Sequence, residues 1–221
     1  MSTAPVPGPL FDALPPGVTG AGSLTGLPRR SQPAAARSLA DRHLWTHLDV
    51  MDVPFAGRTG IPPTALGELT RAAGRSDVHL MVENPEALLT AVLAARPDRV
   101  TIHLERLDDP AGTAHRLRAA GVSPWLAAGP DSDDELAAGV AADFDGILVM
   151  LIRPGSSDPA APGRTGSVRR LAHHHAVGVD GGVSADNLGR WLDAGARYVV
   201  AGRGLFGAGS GLPAGPEGAT T

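Results

Sequence analysis

Short apolar runs recur along the chain, and between them apolar residues return every three or four positions. The runs are Gly-Ser-Leu around Ser23, then 44–50 (LWTHLDV), 77–82 (DVHLMV), 99–105 (RVTIHLE), 124–128 (PWLAA), 146–151 (GILVML), 176–180 (AVGVD) and 198–202 (YVVAG). Runs this short, rich in Val, Ile and Leu, read as buried strands. The stretches between them predict helices over 62–73, 85–95, 110–120, 131–142, 165–174 and 184–194. Pro62, Pro85 and Pro110 stand at helix starts, where a missing N–H costs nothing, and Asn84 precedes Pro85 as a cap. Gly121 and Gly195 follow helix ends, the place of a left-handed residue. Strand then helix, repeated at about 20–30 residues, predicts a parallel sheet with crossover helices. Eight strands favour a closed (β/α)8 TIM barrel over the runner-up, an open doubly wound sheet.

The two ends of the chain break this rhythm. Residues 1–20 are rich in Pro and Gly and read as a poorly ordered arm. The barrel is expected over 21–208, and 209–221 as a flexible tail that leaves no regular last helix. At 221 residues, with 43% hydrophobic and 19% charged residues, the chain has the make-up of one globular domain. A net charge of -4 argues against a nucleic-acid surface. The absence of cysteine excludes disulfides and thiolate chemistry, so any metal must be held by His and carboxylate. No apolar run is long enough to span a bilayer. The N-terminus lacks the basic start and continuous apolar core of a signal peptide. The expectation is a cytoplasmic enzyme or binding domain with a small-molecule partner, without nucleic acid or membrane.

Polar residues then appear where strands should be apolar. Side chains on a strand repeat every two residues, so His47, Asp49 and Met51 share one face, as do His79 and Met81. His103 lies at the end of the fourth run, and Asp180 ends the seventh. In a barrel, chemistry collects at these C-terminal strand ends. Alone, a strand His is most often a hydrogen-bonded core residue, a strand Asp a structural cap, and a Met core filler. Together, two imidazoles and two carboxylates make a site for a divalent zinc, iron, manganese or cobalt ion, and burying four such groups needs a reason. His173, His174 and His175 are adjacent instead of face-sharing and read as a solvated helix terminus. Gly181 and Gly182, followed by a helix start, form a phosphate-cradle pattern, and Gly202 opens a second Gly-rich turn. In barrels these two turns commonly build one phosphate site.

HLDVMD, VHLMVENP, VTIHLE and VDGGVSADN…AGARYVVAGRGLF occur in an order and spacing that resemble the ribulose-phosphate 3-epimerase family, from about Ser23 to Phe206. The resemblance implies a TIM barrel of the ribulose-phosphate-binding type, able to form a homo-oligomer, and an isomerase of pentose phosphate metabolism, which inverts carbon 3 of a ketopentose phosphate. It implies that His47, Asp49, His79 and Asp180 hold a divalent metal, and that Asp49 and Asp180 are the acid/base pair. It further implies that Met51, Met81 and Met150 line the reaction centre, with Gly181, Gly182, Gly202 and Arg203 near substrate.

Several positions depart from the family pattern. The first strand carries Gly22-Ser23-Leu24-Thr25 where the family has Ser-Ile-Leu-Ser. The family's His-Phe after DVMDG is replaced by VPFAGRTG, and its sixth loop by IRPGSSDPAAPGRTG. Arg203 stands at a small phosphate-binding serine, and Arg203 with Arg153 or Arg164 is a candidate anion site. These changes keep two alternatives open: a divergent family member acting on another sugar phosphate or specialised substrate, and a non-catalytic barrel binding a phosphorylated ligand.

Overall fold

A computed structural model describes residues 5–207 of the chain. Eight parallel strands close into a barrel in sequence order: β1 (Thr19–Ser23), β2 (Trp45–Met51), β3 (Ser76–Met81), β4 (Arg99–His103), β5 (Ser123–Ala128), β6 (Gly146–Met150), β7 (Val177–Asp180) and β8 (Tyr198–Ala201). Helices cover the outside: α1 (Gln32–Asp41), α2 (Val53–Ala56), α3 (Leu66–Ala72), α4 (Leu89–Ala94), α5 (Pro110–Ala119), α6 (Asp134–Ala141), α7 (Thr165–Leu171), α8 (Leu188–Asp193) and α9 (Arg203–Phe206). The closed barrel replaces the open sheet as the fold. None of the helices among the described residues is long and apolar enough to cross a membrane.

Alternation along each strand builds two cores. Outward residues such as Leu48, Val50, Val78, Ile102, Ile147 and Val179 pack under the helices. Inward residues, among them Met51, Met81, Trp125, Leu148, Met150 and Tyr198, fill the bore. The bore floor is crowded with rings, and glycine on β6 and β7 makes the room. A Cβ on Gly146 would come within 2.5 Å of Trp125, and one on Gly178 within 2.9 Å of Tyr198.

The stretch read as a loose arm is packed over its described residues. Phe11 is buried in a 3-10 turn, Pro9–Phe11, against Gly20 of β1. Gly8 N–H donates to Leu205 O at 2.6 Å, and Arg42 Nη1 donates to Pro7 O at 2.6 Å. Strand β1 itself begins at Thr19, inside that stretch. Pro- and Gly-rich composition removes regular elements without removing packing. This turn packs against the four-residue α9, and Phe11 and Leu205 reach Gly20 and Gly22 of β1. The tail expected over 209–221 lies outside the described residues.

Candidate metal centre

Strand β2 delivers His47 and Asp49 into the bore, β3 delivers His79, and β7 ends on Asp180. One donor atom from each lies within 4.8 Å of the others. His47 Nε2 is 3.1 Å from Asp49 Oδ1, 3.3 Å from His79 Nδ1 and 3.8 Å from Asp180 Oδ2. His79 Nδ1 is 3.4 Å from Asp49 Oδ1 and 3.6 Å from Asp180 Oδ2. Four ligands held at zinc-like bond lengths in a tetrahedron sit about 3.3 Å apart, close to the 3.1–3.8 Å of these five pairs. Asp49 Oδ1 is fully buried and lacks a hydrogen-bond partner despite two imidazole nitrogens beside it. The donors surround a shared point, where the one direct hydrogen bond in geometry is between His47 Nε2 and His79 Nδ1, and Asp49 Oδ1 stays unsatisfied, so the residues fit a divalent cation.

The partners of each imidazole fix its tautomer. His47 Nδ1 faces Asp77 Oδ2 at 3.2 Å, which places the Nδ1 proton there and leaves Nε2 free for the centre. Asp77 is also held by Thr101 Oγ1 at 2.9 Å and Tyr198 OH at 3.1 Å. His79 Nε2 lies 3.0 Å from His103 Nε2, and His103 Nδ1 lies 3.3 Å from Glu105 Oε1. With Nδ1 of His79 turned to the centre, each ring in this row donates outward towards Glu105. His103 thus supports a ligand, and burial keeps its pKa lowered, the neutral form that this row requires.

The charges are arranged to match. Burial raises the Asp77 pKa, but His47 and then Arg99 outweigh it and bring it down to about 2. Arg99 lies beneath, its guanidinium 3.8–4.5 Å from the ring centroids of Trp125, Tyr198 and Trp45. Its Nη1 is 3.9 Å from Asp77 Oδ2. Two carboxylates at the centre, Asp77 behind them, Arg99 and a divalent cation sum to zero, so the buried set is neutral when loaded. Asp77 and Arg99 are absent from the expected site residues, although Asp77 stands two residues before His79 on the same face.

Above the centre lies a cavity of about 440 Å³. Met51, Met81 and Met150 line it, as do Gly181, Gly182, Gly202 and Arg203. The β7 and β8 turns meet through Gly204, where a Cβ would collide with Val183 O. Gly182 has a φ of +68 and lies so close to the β6 loop that a Cβ would come 2.5 Å from Ala160 N. Asn187 Oδ1 accepts the Ser184 N–H at 3.0 Å, so the Gly181–Gly182 turn leads into a capped turn before α8 begins at Leu188.

Two expectations are corrected. Gly22 faces outward, where a Cβ would meet Leu39, and Ser23 faces the bore. The Ser23 and Thr25 hydroxyls both donate to Asp49 Oδ2, at 2.6 and 2.7 Å, so no hydroxyl is lost on the first strand. Arg164 is no anion site: it is buried, and it donates to the carbonyls of Met150, Pro130 and Gly129 at the ends of β6 and β5. His173 and His174 are exposed just after α7, as expected of a solvated terminus.

Comparison with known proteins places this geometry. The model of the ribulose-phosphate 3 epimerase family matches residues 26–206. A ribulose-phosphate 3-epimerase of Mycobacterium leprae is 30% identical over 189 residues, 81% of this chain and 83% of that one. One of Encephalitozoon cuniculi is 34% identical over 164 residues, 72% of this chain and 74% of that one. Among solved structures, a mutant tryptophan synthase alpha-subunit from Pyrococcus furiosus superposes with a TM-score of 0.65 at 16% identity, covering 84% of this chain and 87% of that one. A phosphoribosyl anthranilate isomerase from Thermus thermophilus superposes with a TM-score of 0.62 at 19% identity, covering 84% and 88%. At such identities these two structures speak to the barrel alone.

Proposed function

The chain belongs to the ribulose-phosphate 3-epimerase family, and from that premise we propose that it inverts carbon 3 of a ketopentose phosphate, interconverting D-ribulose 5-phosphate and D-xylulose 5-phosphate. The observation that carries the reading is the convergence of His47, Asp49, His79 and Asp180 on one point beneath a cavity, with Asp49 Oδ1 buried and unsatisfied. Those four residues would hold a divalent zinc, iron, manganese or cobalt ion. When bound, the cation supplies Lewis-acid stabilisation of the negative charge that develops on the substrate oxygens.

The proton chemistry belongs to the two carboxylates. Removing the proton on carbon 3, beside the ketone, leaves a flat enediolate, and inversion needs a proton returned to the opposite face. Asp49 reaches the cavity from β2 and Asp180 from β7, three strands round the barrel. Each turns one oxygen to the centre and uses the other for the proton, Oδ1 of Asp180 and Oδ2 of Asp49, where the incoming proton displaces one of the two hydroxyl donors. In one direction Asp49 takes the proton and Asp180, protonated, delivers one; in the other the roles exchange. Ser23 and Thr25 donate to Asp49 Oδ2 and orient it. Met51, Met81 and Met150 give the intermediate an apolar wall without acidic protons, so it is not quenched from the wrong side. Gly181, Gly182, Gly202 and Arg203 receive the phosphate.

The test is D-ribulose 5-phosphate in deuterated water with protein of measured metal content, followed by NMR. The expected result is deuterium at carbon 3 of both epimers, with D-xylulose 5-phosphate accumulating to equilibrium. Metal-loaded protein that exchanges nothing at carbon 3 would sink the reading. The rewritten β6 loop favours a second reading, a related sugar phosphate as the preferred substrate.

A further inference from the structure

Arg58 is a cation that neither the fold nor the epimerisation uses. It stands half-buried on the loop after β2 and lines the cavity. Its stem crosses the β6 loop at Gly155, a residue with φ +74 where a Cβ would come within 3.1 Å of Arg58 Cγ and collide with Ala56 O. Its Nε is shut off from solvent without a hydrogen-bond acceptor, and its guanidinium has no carboxylate partner among the described residues. The other arginines of the cavity are engaged: Arg153 with Asp131 at 3.4 Å, and Arg203 with Ser157 O at 2.8 Å. A buried N–H without an acceptor is costly and uncommon, and the guanidinium it belongs to lines a ligand cavity, where its outer nitrogens can meet an anion.

Position decides which end of a ligand it meets. The phosphate cradle lies at the β7 and β8 turns, drawn together through Gly204. Arg58 enters from β2, three strands round from β7. A ketose phosphate with its phosphate in that cradle and carbon 3 between Asp49 and Asp180 extends its carbon-1 end towards the β2 side. A planar guanidinium fork there matches an oxyanion better than a hydroxyl. We propose that Arg58 is a specificity-determining residue that binds a second anionic group, a phosphate or carboxylate, on the carbon-1 end of a ketose phosphate. The proposal rests on the epimerase reading for the placement of the phosphate and of carbon 3.

The experiment titrates metal-loaded protein with D-ribulose 5-phosphate and with D-ribulose 1,5-bisphosphate, and follows deuterium exchange at carbon 3 for both. Wild-type protein is expected to bind the bisphosphate at least about tenfold tighter. Arg58→Met should weaken the bisphosphate about tenfold more than the 5-phosphate, and Arg58→Lys, which keeps the charge but not the fork, should fall between. Equal binding of the two sugars by wild-type protein overturns the proposal, even if no Arg58 variant folds. So does a parallel loss of both in Arg58→Met, which would make Arg58 part of the loop packing. Exchange with the 5-phosphate but no bisphosphate preference leaves the epimerase reading standing and removes this one. A bisphosphate preference without exchange on either sugar does the reverse.

Discussion

His47, Asp49, His79 and Asp180 stand on strands, and the groups behind them are themselves held; Arg58 and Arg153 stand on loops, and Arg203 at the start of α9, over the same cavity with at most one polar partner each. Beneath the first set, Asp77 is gripped by His47, Thr101 and Tyr198, and Arg99 is boxed by three rings. Above, Arg203 holds one carbonyl of the β6 loop, and Arg58 finds no hydrogen-bond acceptor among the described residues. The difference separates two jobs. Chemistry at carbon 3 requires carboxylates fixed to a fraction of an ångström, which strands provide. Choice of substrate requires groups that meet the ligand's far ends, and loops can exchange those without disturbing the centre.

The sharpest way to break this division is to remove a proton carrier. On the proposed two-base scheme, with one carboxylate for each face of the intermediate, Asp49→Asn and Asp180→Asn should each lower turnover by roughly 10²–10⁴-fold or more. Each variant must be assayed for metal content as well. Turnover restored by excess metal would reduce that Asp to a ligand and end the two-base scheme.

The next effect lies one contact further from substrate. Asp77→Asn keeps the shape of the floor but removes the charge that orients His47. Metal affinity should fall by about 10–100-fold, read by competition with a chelator, and the thermal midpoint of the loaded protein should fall with it, because Arg99 loses its buried counter-charge. Unchanged affinity would mean that the floor only packs.

Arg203→Met tests the loop side. With the phosphate bound mainly through backbone turns, the KM for D-ribulose 5-phosphate should rise roughly tenfold while kcat holds, the mark of a group that binds ground state and transition state alike. A fall in kcat at constant KM would tie the loops to the chemistry and erase the contrast.

The same contrast decides how much could be read without coordinates. Strands obey a period of two, so His47 with Asp49 and His79 with Met81 declare a shared face before any fold is known. The rule extends to residues overlooked: Asp77 precedes His79 by two, and Arg99, Thr101 and His103 alternate into the bore. They were hidden because polar residues at the start of a strand read as its solvated end, whereas in a barrel the inward face stays buried to the floor. The same period places Ser23, not Gly22, beside Asp49. Loops have no period. Arg58 lies over the cavity because a left-handed glycine in a distant loop leaves room for its stem, and Arg164 turned to backbone carbonyls at the ends of β5 and β6. Neither follows from residue type or spacing. The N-terminal stretch shows the limit of composition: Phe11 and Leu14 pack on Gly20 through a segment that Pro and Gly mark only as irregular.

The smallest effect expected is a difference in how pH acts on loaded and metal-free protein. Without the cation, burial lowers the His47 pKa, but the charge of Asp49 and the hydrogen bond to Asp77 outweigh it and hold it well above 6.5. Burial raises Asp49, but the His47 and His79 imidazoles hold it well below 3.8. A histidine raised in the folded state contributes stability that is fully present below its unfolded value and is lost as pH rises through the folded one. The lowered Asp49 contributes stability present above its unfolded value and lost as pH falls through its folded one. Metal-free protein should therefore soften as pH climbs past 6.5, while loaded protein, in which the cation replaces the imidazolium proton, should not. Thermal melts between about pH 6 and about pH 9, with and without EDTA, should show the gap in Tm widening as pH rises. A gap that stays constant would mean that no imidazolium holds Asp49 in the metal-free protein, and that the strand-borne centre is held together by its hydrogen-bonded floor instead of by its own charges.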